Sequence, residues 1–255
     1  AERAGISVPA GYDDTSPEAG MADYRLHARK RVVIKPKSTN FGLGITILKH
    51  NYDETDFKAA LQIAFEHDNT VLIEKFIPGR EFRIFIINDE VVGILHRVPA
   101  NVTGDGVLNI GQLIDMKNED PLRGKGYRTP LEKIRKGREE EMFLKQQGMD
   151  FNTVPKEREV VYLRENSNIS TGGDSIDFTD DIDDSYKAIA VEAAKALNVK
   201  ITGLDMMIQD IHAPATPDNY AIIEMNFNPA IHIHCYPFKG KNRHLNHKMI
   251  KALGF

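Results

Sequence analysis

The sequence is poor in the features that mark disulfide, membrane or nucleic-acid chemistry. A single cysteine, Cys235, stands among 255 residues, so no internal disulfide can form and a reducing cytoplasm is the expected setting. No apolar run approaches the ~20 residues of a membrane span, no secretory leader is visible, and no membrane partner is expected. Charge of one sign is not in excess. The formal net charge is -4, which argues against a general nucleic-acid binder and makes any basic site a local one. What remains is ordinary for a soluble globular chain: 41% hydrophobic and 27% charged residues, with length for one large domain or two lobes. The chain does not begin with Met, and its opening, AERAGISVPAG, reads as the tail of a helix ended at Gly5 followed by a short strand, cut from something longer.

Hydrophobic periodicity divides the chain into strands and helices. Residues 31–35 and 45–48 read as strands joined by a polar, glycine-bearing loop. Residues 54–67 put Phe57, Ala60, Leu61, Ala64 and Phe65 on one helical face. Residues 71–77 form a strand broken at Pro78-Gly79. EFRIFII and VVGILHRV follow as a hairpin turned at Asn88-Asp89-Glu90. A short helix is expected at 111–118, and a longer one from Thr129 to Gly148, started by a capping box of Thr129 and Glu132 with Pro130 at its first position. After a strand at 159–163 comes the polar loop RENSNISTGGDS. Asp183 or Asp184 then caps a helix whose Tyr186, Ile189, Ala190, Ala193, Ala194 and Leu197 face the core. The strands ITGLDMMI and YAIIEMNF close the pattern. Strands lie both in hairpins and between helices, so the fold class is α+β, in two lobes.

Three constellations carry chemistry. Asp205 interrupts an otherwise apolar strand, and Glu224 and Asn226, two residues apart, share one face of the next. Paired as a hairpin, these strands gather three hard oxygen donors suited to Mg²⁺; a polar face on a half-exposed strand is the plain alternative. A carboxylate between apolar flanks is costly unless a cation meets it. In RVVIKPKSTNFGLGI, Lys35 ends a strand and Lys37 lies two residues on. Ser38, Thr39, Asn40, Gly42 and Gly44 offer amides and hydroxyls without bulk, enough to close over a triphosphate. It is neither a Walker loop nor a dinucleotide fingerprint, and an ordinary strand-joining turn is the alternative. In LIEKFIPGREFRIF, Glu74 and Lys75 end an apolar strand and Glu81 follows a Pro-Gly turn. Glu81 there could take both hydroxyls of a ribose and the backbone of 75–77 an adenine edge; a surface salt bridge is the alternative.

In that order, lysine strand with small-residue loop, E-K-F-I-x-G-x-E, then D and E-x-N on consecutive strands, the motifs resemble the ATP-grasp ligases from about residue 31 to 229. STNFGLGI, RVPANVTGDG, LRENSNISTGGDSID and EMNFNPAIHIHCYP look like the C-terminal ligase module of the bifunctional glutathione-synthesising enzymes of bacteria, and less closely like the ATP-grasp part of cyanophycin synthetase. The resemblance implies two α+β lobes with ATP bound between them: a remnant of a preceding lobe at 1–30, a small lobe at 31–78 and a large, metal-carrying lobe at 79–255. It implies that Lys35 holds the α- or β-phosphate and that Lys37, Ser38, Asn40, Gly42 and Gly44 lie in the loop over the phosphates. It implies further that Glu74 belongs to the ATP-binding strand, that Lys75 meets the adenine ring with backbone contacts from Phe76 and Ile77, that Glu81 takes the ribose, and that Asp205, Glu224 and Asn226 carry two Mg²⁺ or Mn²⁺ ions.

The implied chemistry is activation of a carboxylate as an acyl phosphate and its capture by an amine, most simply glycine joined to γ-glutamylcysteine, within a longer bifunctional chain. Arg164 and Asn166 are placed near the transferred phosphate or the substrate carboxylate, with Arg83 and Arg97 as further candidates. D-alanine ligases of the same superfamily carry an arginine two residues before the metal Asp, where this chain has Gly203. A D-alanine-ligase-like or cyanophycin-synthetase-like enzyme, a non-catalytic ATP-binding module and a carboxylate kinase are the other readings. His232, His234, Cys235, His244 and His247 crowd the sequence near its end. Their spacing matches no standard zinc pattern, and in the ligase reading they line the acceptor pocket.

Overall fold

The structure is a computed structural model that describes residues 6–22, 24, 30–39, 43–48 and 51–255. Asn40 and Gly42, and the helix tail expected at 1–5, lie outside the described residues. The chain divides into two compact units, one of Ser7–Pro78 and one of Gly79–Phe255 together with Ile6.

The first unit is a four-stranded antiparallel sheet in the order β1-β4-β2-β3, built from β1 (Gly11–Asp14), β2 (Val32–Pro36), β3 (Thr46–Leu48) and β4 (Val71–Lys75). A short helix, α1 (Pro17–Ala22), follows β1. Helix α2 (Glu54–Phe65) starts at Asp53, which accepts the Asp56 amide while Asp56 takes the Asp53 amide in return. The period-3.6 face Phe57, Ala60, Leu61 and Ala64 packs on Val32, Ile34, Val71 and Ile73 of the sheet. Burying such residues contributes roughly 1.5–3 kcal/mol each. Alternation then turns Lys35 and Glu74 to the other face of the same strands.

The second unit is built on a five-stranded antiparallel sheet, order β11-β6-β5-β12-β13. Its strands are β5 (Arg80–Ile87), β6 (Glu90–Val98), β11 (Asp174–Asp177), β12 (Ile201–Ile208) and β13 (Tyr220–Asn226). Asn88 and Asp89, both with positive φ, make the tight β5–β6 turn. Helix α5 (Asp184–Ala196) is capped by Asp183 and buries Tyr186, Ala190, Ala193 and Ala194. Leu197, expected to face the core, ends the helix 53% exposed. The short helix α6 (His232–Cys235) and helix α7 (Leu245–Ala252) form a second cluster in which Cys235 and Leu245 pack with Phe85, Ile87 and Val92.

Between β6 and β11 the chain makes a small subdomain. It comprises β7 (Asn101–Thr103), α3 (Ile110–Lys117), β8 (Arg123–Gly124), β9 (Leu131–Glu132), α4 (Arg138–Gln146), β10 (Val160–Tyr162) and a 3₁₀ turn (Ile169–Thr171) around its own apolar core. The helix expected from Thr129 is corrected here. It begins only at Gly137, whose amide is accepted by Glu140. Glu132 instead accepts the amides of Gly126 and Tyr127, and Leu131 and Glu132 pair in parallel with β8. The expected strands ITGLDMMI and YAIIEMNF are present as β12 and β13, and His232 and His234 sit on the helical turn α6.

Candidate active site

The second unit gathers its charges on β5, β6, β12 and β13. Register puts Asp205 opposite Glu224 on one side and opposite Arg83 on the other. Asn226 lies two residues from Glu224 on the same face and donates to it at 3.0 Å. The three expected donors are therefore brought together on adjoining strands. Their environments differ sharply. Asp205 is buried, whereas the Glu224 side chain is 55% exposed.

Asp205 is clasped by guanidinium groups. Arg83 forks onto it, Nε to Oδ1 and NH2 to Oδ2, the latter at 2.8 Å, and Arg97 donates to Oδ2 at 2.8 Å. Burial works against the ionised carboxylate, but Arg97 and Arg83 outweigh it and hold Asp205 below the usual carboxylate range. Glu224 moves the other way, pushed up first by partial burial and then by the Asp205 carboxylate beside it. Arg97 also reaches Glu81, and Ser167 donates to the other Glu81 oxygen. Glu81, expected at a ribose, thus belongs to the Asp205 cluster.

Arg164 is held by helix α4: Glu139 and the buried Glu140 both pair with it, Glu140 at 2.6 Å. Asn166 accepts from Thr171 at 3.1 Å. Among the described residues, neither bonds to a member of the Asp205 group. Of the polar loop 164–175, it is Ser167 that joins the cluster, and nothing in its spacing distinguishes it from Ser170. Arg83 did carry a signal, a charge set among the apolar residues FRIFII, the same signal that marked Asp205.

The first unit carries the lysines. Lys35 pairs with Glu74 at 2.6 Å, both side chains mostly buried. Lys37 pairs with Asp13 at 3.0 Å in the open, and that hydrogen bond holds Asp13 below its ordinary value. The Ser38 amide is accepted by Asp68, and Thr39 donates to the Leu43 carbonyl. Gly44 sits at φ 75°, where a Cβ would meet His67 and Pro36 at 2.7 Å, so the turn itself requires glycine there. The Lys75 amide donates to Ala10 and the Phe76 amide to Arg31, whose guanidinium covers the Phe76 ring at 3.6 Å. Ile77 is half-buried in the segment that follows.

Two histidines lie beside the sheet. Burial, then the charge of Arg80, pushes His96 down to about 4, and burial foremost pushes His234 down to about 3. Neither ring nitrogen of His234 has a hydrogen-bond partner among the described residues. Both rings are therefore neutral in the folded protein where the unfolded chain, near 6.5, takes up protons. Stability is expected to fall as pH drops from about 6.5 towards 4, by roughly 1.4 kcal/mol per pH unit for each such histidine. Urea unfolding at pH 7, 6 and 5 measures the slope, and His234→Phe should make it shallower.

A separate cavity of about 480 Å³ is lined by Asn101, Thr103, Met116, Lys117, Asp174 and Phe238, among others, and by none of the Asp205 group. No group of three or more His, Cys, Asp and Glu side chains could hold a metal ion among the described residues, which leaves the histidine cluster without a zinc-type site and the mixed Asp205–Glu224–Asn226 set as the candidate. No helix among the described residues is long and apolar enough to cross a membrane.

The family model for the C-terminal part of D-alanine–D-alanine ligases matches residues 23–112. The glutathione biosynthesis bifunctional protein of Desulfotalea psychrophila is 60% identical over 254 residues, covering 100% of this chain and 33% of that protein. The crystal structure of a bifunctional glutathione synthetase from Pasteurella multocida superposes with a TM-score of 0.73 at 47% identity, over 99% of this chain and 35% of that one. An ATP-grasp ligase bound to a minimal precursor matches at a TM-score of 0.50 and 17% identity, over 98% of this chain and 58% of that one, a likeness of fold alone. This chain spans about a third of the length of the bifunctional relatives it matches. It has the ATP-grasp fold, and along its whole length it is similar to the bifunctional proteins of glutathione biosynthesis.

Proposed function

We propose that this chain is the ATP-dependent ligase module that joins γ-glutamylcysteine to glycine, with ADP and phosphate as the other products, inside a longer bifunctional protein of the cytoplasm. One observation carries the reading: a chain 60% identical throughout to a glutathione biosynthesis protein sets Asp205 opposite Glu224, with Asn226 on the same face. In this reading the donor carboxylate attacks the γ-phosphorus, the bond to the bridging β–γ oxygen breaks and ADP leaves. The amine of glycine then attacks the acyl carbon, its proton is lost, and phosphate departs with the C–O bond. No protein nucleophile is needed; positioning and charge neutralisation do the work.

The donor set fits a divalent cation. Asp205 is ionised, Glu224 is open on one side, and the Asn226 amide can present its oxygen after a flip. Asp205, Glu224 and Asn226 would hold two Mg²⁺ or Mn²⁺ ions, which when bound neutralise the charge of the phosphate oxygens. Lys35 and Lys37 contribute positive charge to the phosphates, with Ser38, Asn40, Gly42 and Gly44 in the closing loop. Lys75, Phe76 and Ile77 lie along the adenine. Glu81 keeps its ribose role only by giving up Arg97 or Ser167. Arg164 and Asn166 face the reacting groups in this reading, Arg164 by leaving one of its two glutamates. The domain division follows the same proposal, with 31–78 as the small lobe, 79–255 as the large one and 1–30 from a preceding lobe.

Phosphate release is the test. It is expected only when ATP, Mg²⁺, γ-glutamylcysteine and glycine are all present. Release with D-alanine, or with aspartate and arginine, in place of that pair would mark a sister ligase. ATP binding without turnover would mark a non-catalytic module, and a stable acyl phosphate a kinase.

A further inference from the structure

Asp205 keeps little acceptor capacity free for a divalent cation. Its two oxygens offer about four acceptor positions, and three are taken by Arg83 and Arg97. The two arginines are not held alike. Arg83 donates through a two-pronged fork, stands directly across the ladder from Asp205 and lies 3.9 Å from Glu224. Its stem runs over Gly203, where a Cβ would sit 3.0 Å from Arg83 Cδ, so the absence of a side chain at 203 makes the space that Arg83 fills. Arg97 reaches both Asp205 and Glu81 through one NH2 group, and its Nε is buried with no partner among the described residues. It holds Asp205 by a single contact, has a second anchor at Glu81 and keeps a donor unspent.

We propose that Arg97 competes with the divalent cation for Asp205, so that loading the cation releases Arg97 from Asp205 while Arg83 keeps its fork. This rests on the assignment of the cation to Asp205 made above. The charge balance favours it. Two guanidinium groups face Asp205, Glu81 and Glu224, and a doubly charged cation brought against Asp205 repels both. Releasing the singly held guanidinium lowers that repulsion and frees the Asp205 Oδ2 position it occupied. The released group remains tethered to Glu81 and presents its NH groups, Nε included, as a planar fork suited to a phosphate or carboxylate oxygen pair. Arg97 is in this sense a positioning residue, turned from one anion to another by the arrival of the cation.

Competition has a signature that a purely structural arginine lacks: removing it tightens cation binding. The measurement is calorimetric titration of Mn²⁺, without nucleotide, into the whole protein that carries this chain. Arg97→Gln is expected to bind Mn²⁺ about tenfold more tightly than the unmodified protein. Arg97→Lys, which keeps the charge, should bind as the unmodified protein does, and Asp205→Asn should bind at least about tenfold more weakly. If Asp205→Asn weakens binding while Arg97→Gln is unchanged or weaker, competition is overturned and the cation assignment stands. If Asp205→Asn binds as the unmodified protein, both fall. Melting with and without saturating Mn²⁺ gives a second readout for a marginally folded variant. The rise in Tm should be larger for Arg97→Gln than for the unmodified protein, and an equal or smaller rise overturns the proposal.

Discussion

Asp205→Ala is expected to lose about 3–5 kcal/mol of folding stability together with all ATP-dependent turnover. The stability loss follows from what the substitution strands. Arg83 and Arg97 are both largely buried, and among the described residues Asp205 is the one carboxylate that both of them reach in the sheet interior. Taking one partner out of a buried ion cluster costs far more than the cluster contributes, because the remaining charge stays desolvated and uncompensated. Asp205→Asn separates the two effects. The amide keeps the volume and one acceptor oxygen, so the fold loses less, while phosphoryl transfer loses the anionic donor and should slow about 10²–10³-fold, the scale of deleting one preorganised electrostatic group. Exchanging Arg83 and Asp205 together for apolar residues of similar volume should return much of the stability and none of the turnover. Urea unfolding and phosphate release, measured on the same preparations, check both halves. An Asp205→Ala protein that unfolds at the unmodified urea midpoint would sink the idea that the clasp matters to the fold.

The site was legible where a charge interrupts an apolar strand, because burial leaves such a charge few explanations. Asp205 in ITGLDMMI and Glu224 in YAIIEMNF pointed to a shared face, and period-2 alternation then fixed which neighbours they meet. What the spacing could not give was the partner across the ladder. Arg83 stands opposite Asp205 because β5 pairs with β12, strands separated by more than a hundred residues of chain. Arg97 and Glu81 enter through that same pairing and through β6. Local signals failed where a distant demand overrode them. Thr129, Pro130 and Glu132 form a sound helix start on their own, yet Arg123 draws the Glu132 carbonyl towards itself at 2.9 Å and β8 pairs with β9, so the helix waits until Gly137. Leu197 has the right phase for the core but follows the last turn of α5, past the edge of what the helix covers. Gly44, read for its openness to phosphate, is required first by a left-handed turn against Pro36.

That Arg123 demand is the basis of the second large effect: Asp174→Ala is expected to destabilise the subdomain between β6 and β11 by about 3–5 kcal/mol while leaving the proposed cation site at Asp205 unaffected. Asp174 is almost fully buried at the start of β11. It pairs with Arg123 through Oδ1, and through Oδ2 with Lys117 at 2.6 Å and the Asn101 amide at 2.9 Å. Those partners come from β8, α3 and β7, so one carboxylate ties three elements of the subdomain to an edge strand of the main sheet. The two cations differ in what they can do once it is gone. Burial already lowers Lys117 below its ordinary value, and without Asp174 it can shed its proton. Arg123 cannot deprotonate; its side chain is fully enclosed, and it is left with the Glu132 and Gly172 carbonyls and the Phe238 ring at 5.4 Å, none of which carries a negative charge. The penalty should therefore concentrate on Arg123, and Asp174→Ala combined with Arg123→Met should recover most of it. Hydrogen exchange locates the damage. Amides of α3, α4 and β10 should exchange faster in Asp174→Ala, while those of β5 and β12, held by the main sheet and the Asp205 clasp, should keep their protection. Loss of protection spread evenly over both regions would mean that the subdomain and the sheet unfold as one unit, and that Asp174 is not the bolt between them.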